Sequence, residues 1–200
     1  MADSKFDICN KALLLVGANT ISSFTQSTTE SIVANSLYES TLEDLLTRVR
    51  WRFSTKQVQL SKSATSPDAR YDSAYALPTD AFLINTVTVS DSPIVYDRYG
   101  QFIFTNTTSS DTVIADYTYQ PSESTFPPYF KQTLVFELAS IFAGAITRND
   151  ALASMYEGRA IRQLKTAKGI DAQAQTNRGL NVNRFRNNRG GGRHITAVSP

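Results

Sequence analysis

Leu46-Thr47-Arg48-Val49-Arg50-Trp51-Arg52-Phe53 is where one periodicity of this chain stops and another begins. Upstream, Ala34, Tyr38, Leu42, Leu45 and Val49 recur at steps of four and three residues, the spacing that lines one face of an α-helix. Downstream, residues 51–125 are rich in Ser, Thr, Val and Tyr, in short runs bounded by turn residues, which is how strands read. A helix that passes through an aromatic pair into a β region predicts two units meeting at a hinge. Trp51 and Phe53 can serve there in two ways, as packing that anchors the second unit to the first or as the wall of a ligand site. Hinge packing is the favoured role.

Working back towards the N-terminus, Ser4-x-x-Asp7 is a variant capping box that starts a first helix. Ile8, Ala12 and Leu15, with Leu13 and Val16 beside them, give it an apolar face, and Gly17 is a left-handed stop. A loop holding Ile21 and Phe24 follows, and Ser27-x-x-Glu30 is a second capping box, opening a helix expected to run to about Arg50. Working forward, residues 58–60, 82–89 and 113–119 are expected strands, and residues 61–68 a surface loop. Residues 94–96 and 101–104 predict a hairpin around Asp97-Arg98-Tyr99-Gly100 as a longer loop. Pro78 and Pro93 fall where strands should start or stop. Pro127-Pro128 closes the region and permits a new helix, whose apolar face is Phe130, Leu134, Leu138, Ile141, Phe142 and Ala145. Asn149 or Asp150 can cap a fourth helix ending near Gln175. Its thinner stripe (Leu152, Tyr156, Ala160, Leu164, Ala167) places it on the outside.

The expected fold is therefore α+β. Residues 1–50 and 127–178 form a bundle of four α-helices drawn from both chain ends. Residues 51–126 form a small antiparallel β subdomain inserted between helices two and three, and residues 179–200 an extended basic arm. The arm has little hydrophobicity and much Gly, Asn and Arg, so nothing in it offsets the entropy of ordering it alone. It is expected to order only on a partner, and at about 3.3 Å per residue it reaches roughly 70 Å.

The net charge of +2 hides an uneven distribution. Residues 1–158 carry 11 Lys/Arg against 17 Asp/Glu, a balance of −6; residues 159–200 carry 9 against Asp171 alone, a balance of +8. A split of this kind marks an interaction tail. A solvated helix face accounts equally well for Arg159 to Lys168, but less well for the segment after Arg178. In that segment Arg189-Gly190-Gly191-Gly192-Arg193 lacks the Lys-Ser/Thr of a phosphate-cradling loop. It suits single-stranded RNA, with Phe185 to stack on a base, or a protein carboxylate surface.

The chemistry-bearing residues are sparse. Cys9 is the only cysteine, so an internal disulfide and a Cys-rich zinc cluster are ruled out. Cys9 itself reads as a small buried hydrophobe. The only histidine, His194, lies in the arm without a rigid partner, and two-histidine metal sites are impossible by count. The carboxylate pairs Glu43-Asp44, Asp72 with Asp80, and Asp111 with Asp116 read as solvated surface. No catalytic residue, cofactor or metal is expected. Apolar runs such as residues 12–16 are too short to span a membrane, and residues 1–4 do not open a signal peptide, so a soluble, non-exported chain without membrane contacts is expected.

One set of segments then stands out by its order: Ile8-Cys9-Asn10-Lys11-Ala12-Leu13-Leu14-Leu15-Val16-Gly17, Ile21-Ser22-Ser23-Phe24, Leu46 to Phe53, Tyr75-Ala76-Leu77-Pro78-Thr79-Asp80, Phe126-Pro127-Pro128-Tyr129-Phe130 with Leu138-Ala139, and Tyr156 with Ala167-Lys168 and Asp171-Ala172-Gln173. In this order and spacing the chain resembles, over about residues 5 to 175, the tail tubular protein A family, the head-to-tail adaptors of short-tailed bacteriophages. The resemblance implies a virion protein of the neck and tail, present in the host cytoplasm during assembly. It further implies a homo-oligomeric, dodecameric ring that joins the portal protein to the tail nozzle protein and lets DNA through its lumen without sequence-specific binding. On that footing Arg178, Arg184, Phe185, Arg186, Arg189 and Arg193 are the candidate contacts to the portal or a neighbouring subunit. Asp97, Arg98, Tyr99 and Gly100 are, by elimination, the candidate contacts on the nozzle side. The alternative is a small nucleic-acid-binding protein that uses the Arg/Gly-rich arm.

Overall fold

The computed structural model describes residues 4–63, 70–108 and 110–174. Four helices are divided between the two ends of the chain: α1 (Lys5–Val16) and α2 (Thr29–Arg48) precede the β region, and α3 (Pro128–Ala145) and α4 (Asp150–Gln173) follow it. The local signals that start them are visible in the caps. Ser4 and Asp7 form the reciprocal capping box, and Gly17 closes α1 at φ 75°, a conformation that glycine adopts without a Cβ penalty. The cap of α2 is Thr28, whose hydroxyl accepts from the Ser31 amide, one residue beyond the expected Ser27. Pro127-Pro128 starts α3 with proline at its first position, and the Asn149 side chain accepts from the Leu152 amide to cap α4.

Helix α3 packs on each of the other three, and its apolar residues account for that. Phe130, Leu134, Leu138 and Phe142 are fully buried, each contributing roughly 1.5–3 kcal/mol relative to an exposed position. Ile8 and Leu13 from α1, and Tyr38, Leu42, Leu45 and Leu46 from α2, complete the bundle core. Helix α4 adds Tyr156, Leu164 and Ala167 and leaves the rest of its circumference exposed. Arg48 ties α2 to Glu137 of α3 at 2.6 Å.

Among the described residues, the β region holds seven short strands in two antiparallel sheets. β1 (Thr55–Gln59), β7 (Val113–Thr118), β3 (Leu83–Val89) and the two-residue edge strand β4 (Ser92–Pro93) form one sheet in that order. β2 (Ser73–Ala76), β6 (Phe102–Thr105) and β5 (Asp97–Tyr99) form the other. Val87, Val113 and Ala115 of the first sheet and Tyr75 and Ile103 of the second are buried in one cluster, so the sheets share a core separate from that of the bundle. Pro93 sits on the edge strand, where its missing N–H breaks no ladder.

The hairpin differs from its sequence reading. Asp97, Arg98 and Tyr99 are strand, paired with Phe104, Ile103 and Phe102, and the loop is only Gly100-Gln101, with Gly100 at φ 58°. A two-residue loop needs a positive φ at its first residue in the primed turn that matches strand twist, and glycine there shortens the loop and draws its neighbours into the ladder. Strand β2 was not anticipated. It is four residues long, and among its residues only Tyr75 carries a large apolar side chain. Among the described residues, no helix is long and apolar enough to cross a membrane.

Candidate interaction surfaces

Three places carry the functional candidates: the hinge, the hairpin sheet and the basic C-terminal stretch. At the hinge, Trp51 is fully buried, and its indole N–H donates to the Leu45 carbonyl at 2.8 Å. Its ring stacks on Tyr129 (6.3 Å between centroids) and meets Phe130 edge-on at 5.2 Å. Phe53 packs edge-on against Phe130 at 4.8 Å and Phe126 at 6.0 Å. The two rings thus sit against the start of α3, where they hold the first strand of the β region against the bundle.

A carboxylate adds to this joint. Asp171, near the end of α4, is only 4% exposed. Its Oδ2 accepts from the Arg52 backbone amide at 3.0 Å and its Oδ1 from the Tyr129 hydroxyl at 2.7 Å. Partial burial, with the Asp171 carboxylate accepting its proton, pushes the Tyr129 phenol well above its ordinary pKa. One side chain therefore pins α4 to α3 and to the residue between Trp51 and Phe53. Sequence reasoning gave Asp171 no role of its own. The available signal was that it is the only acid among the last ten charged residues.

The hairpin sheet presents the second candidate. Ile103 points inward, so Phe102 and Phe104 point outward, and Tyr99, opposite Phe102, shares their face. Tyr99 is 55% exposed and Phe102 37%. Phe104 is ringed by Tyr99 at 5.6 Å, Tyr71 at 5.9 Å and Phe102 at 6.4 Å, and the Arg70 guanidinium lies over Tyr71 at 5.6 Å. Arg70, Tyr71, Tyr99 and Phe104 line an open depression of about 220 Å³. That is smaller than the usual small-molecule site of roughly 300–1,000 Å³ and suits an inserted side chain. Of the four hairpin residues expected to make contacts, Tyr99 joins this aromatic face, Asp97 lies at its margin opposite Phe104, and Arg98 and Gly100 are exposed. Tyr71, Phe102 and Phe104 were missed. The readable signal was Phe-Ile-Phe in one strand, which forces large apolar side chains onto both faces.

The third candidate, Arg178, Arg184, Phe185, Arg186, Arg189 and Arg193 with His194, lies outside the described residues. Its described neighbour in sequence, α4, carries Arg159, Arg162, Lys165 and Lys168, all exposed.

Cys9 is buried, which pushes its thiol up to about 12 and disfavours the thiolate. Asp44 pairs with Arg48, Asp80 with Lys56 (3.0 Å) and the Tyr117 hydroxyl (3.1 Å), and Asp116 with Arg50 (3.6 Å). Asp111 accepts from the Thr108 amide in its own turn. Each of these carboxylates thus has a separate local partner. Among the described residues, no three His, Cys, Asp or Glu side chains converge as a metal site would require. The chain matches no protein-family model and no curated protein.

Proposed function

We propose that this chain is a structural head-to-tail adaptor of a short-tailed bacteriophage. In this reading its copies form a ring between the portal and the tail nozzle, through which DNA passes. The reading starts from the resemblance of the ordered segments between residues 5 and 175 to the tail tubular protein A family. The observation that carries it furthest is the aromatic face of Tyr71, Tyr99, Phe102 and Phe104, of which Tyr99 and Phe102 are exposed and the other two half-buried. Exposed aromatics clustered with an arginine are the composition of a protein-binding hot spot, and here they stand on the inserted sheets, away from the bundle core.

The roles divide accordingly. The bundle supplies the body of each subunit, the aromatic face takes the nozzle protein, and the basic segment after Arg178 takes acidic surface on the portal or a neighbouring copy. A single exposed ion pair is worth about 0–1 kcal/mol, but repeated arms on one ring act at high effective concentration. Nothing in this scheme needs a catalytic group.

The test is to purify the chain, alone and mixed with portal rings and with nozzle protein, and to measure particle mass and image the products. Rings that bind both partners support the reading. Tyr99→Ala with Phe102→Ala should abolish nozzle binding and leave portal binding intact. A chain that stays monomeric with both partners present refutes it.

A further inference from the structure

Four cations elsewhere in the described fold are matched: Lys5 with Glu39, Arg48 with Asp44 and Glu137, Arg50 with Asp116, and Lys56 with Asp80. Helix α4 concentrates cations without such a match. Arg159, Arg162, Lys165 and Lys168 are exposed and make no ion pair among the described residues. No carboxylate stands between residues 158 and 170. Asp171 follows Lys168 by three residues, a distance at which pairing is ordinary on a helix, yet both its oxygens are turned inward to Arg52 and Tyr129. Any partner of this surface must therefore bring all of the negative charge.

The arrangement also indicates the partner's shape. At 3.6 residues per turn, four cations spaced three residues apart fan across about 180° of the helix and advance roughly 13 Å along it. A flat acidic protein surface touches a narrower strip and meets only part of that fan. Gly158 and Gly169 lie about 20° apart on its midline. A Cβ at Gly158 would meet only the Arg162 guanidinium, at 3.5 Å, and one at Gly169 nothing within 4 Å. Packing within this chain therefore does not call for either glycine, although each costs the helix about 1 kcal/mol relative to alanine. The result is a rounded half-cylinder with a glycine near its crest at each end and two cations on each flank, interrupted by exposed Ile161 and Met155.

We infer that the exposed half of α4 is a binding surface for duplex DNA, seated along a groove with Arg159 and Arg162 on one flank and Lys165 and Lys168 on the other, each pair reaching one phosphate strand. The major groove is about 12 Å wide and accepts a helix, and contacts of this kind are made to phosphates without regard to sequence. The inference rests on the adaptor reading only for its biological setting, where this face would turn towards the lumen. Binding itself is a property of the isolated chain.

The experiment is the anisotropy of a labelled duplex titrated with full-length protein over a series of salt concentrations. Four phosphate contacts give a log–log slope of about −3.6, an affinity loss of about 150-fold between 50 and 200 mM salt. The variant Arg159→Gln/Arg162→Gln/Lys165→Gln/Lys168→Gln should flatten the wild-type slope by that amount. Glutamine is a good helix former, so the fold should survive, and circular dichroism checks it. A second variant, Gly158→Leu/Gly169→Leu, should melt higher than wild type and yet bind duplex at least tenfold more weakly, a combination that damage to the fold cannot produce.

Absence of duplex binding by the wild-type chain overturns the inference, as does a slope unchanged in the quadruple variant. Intact DNA binding with lost ring assembly in that variant also overturns it, and assigns the face to a neighbouring acidic protein. Rings that fail to form while duplex binding follows the expected slopes sink the adaptor reading and leave this inference standing.

Discussion

Replacing Asp171 by alanine should loosen the joint between bundle and β region more than any other single surface-distant polar change. The substitution strands the Arg52 amide and the Tyr129 hydroxyl, which now donate at 3.0 and 2.7 Å to a carboxylate that is 4% exposed. Hydrogen bonds to charged acceptors contribute about 1.5–3 kcal/mol each, and a stranded donor costs more when water cannot replace the acceptor. Both donors are only partly buried, so the lower end applies to each, and a total of about 3 kcal/mol is expected. For a chain of this length that lowers the melting temperature by about 6–12 °C. Asp171→Asn keeps one acceptor oxygen and should lose about half as much. Tyr129→Phe removes one of the two stranded donors, so the double variant Asp171→Ala/Tyr129→Phe should be less destabilised than the sum of the singles by about 1 kcal/mol. Urea unfolding followed by Trp51 fluorescence is the assay, since Trp51 is the only tryptophan and stacks directly on Tyr129. A midpoint for Asp171→Ala within experimental scatter of wild type, or a strictly additive cycle, refutes the reasoning.

Three further outcomes are expected. Gly17→Ala places a side chain at φ 75° and should cost about 1–2 kcal/mol in urea unfolding, whereas Gly144→Ala, in open space within α3, should be neutral or stabilising. The buried Cys9 thiol has its pKa raised to about 12, so the folded state holds that proton more tightly than the unfolded chain. The stability it contributes is complete below the ordinary thiol pKa and fades as pH rises above it; Cys9→Ala should flatten that alkaline decline, and native Cys9 should react with a disulfide reagent only as fast as the protein opens. The Lys56 ammonium, hydrogen-bonded to Asp80 and helped by the Tyr117 hydroxyl, lowers the Asp80 pKa. Its contribution is present above the ordinary carboxylate range and is lost as pH falls through the lowered value. Both partners are nearly half exposed, so Asp80→Asn should remove only a small, salt-screened part of the acid-side slope.

The helices were legible because their determinants are local. Ser4 with Asp7, Gly17, Pro128 and Asn149 each act within one turn of the helix they start or stop, and the four- and three-residue spacing of Tyr38, Leu42 and Leu45 needs no tertiary partner to be recognised. The cap of α2 slipped by one residue because Ser27 and Thr28 are chemically equivalent, and only the path of the preceding loop selects between them. The division of the strands into two sheets was not legible. Ser73–Ala76 owes its strand state to pairing with Phe102–Thr105, about thirty residues away, and short strands take their stability from such neighbours. The candidate surfaces divide the same way. Tyr99 was reached through its turn, a local feature. Tyr71 joins Phe104 only because β2 lies next to β6, and Asp171 meets Arg52 across 119 residues of sequence.

The β region leaves and rejoins the bundle on adjacent strands: Thr55 of β1 faces Thr118 of β7, and the Tyr119 amide donates to the Ser54 carbonyl at 2.9 Å just outside that pair. Immediately beyond, one strand end is held by Trp51 and Phe53, and the other runs through Phe126 into α3. Tension applied at the far end of the sheets therefore passes into the bundle along two covalent lines in parallel. The hydrogen bonds between those lines run across the pull and do not carry it in series, so the chain would transmit force across this joint without unzipping it.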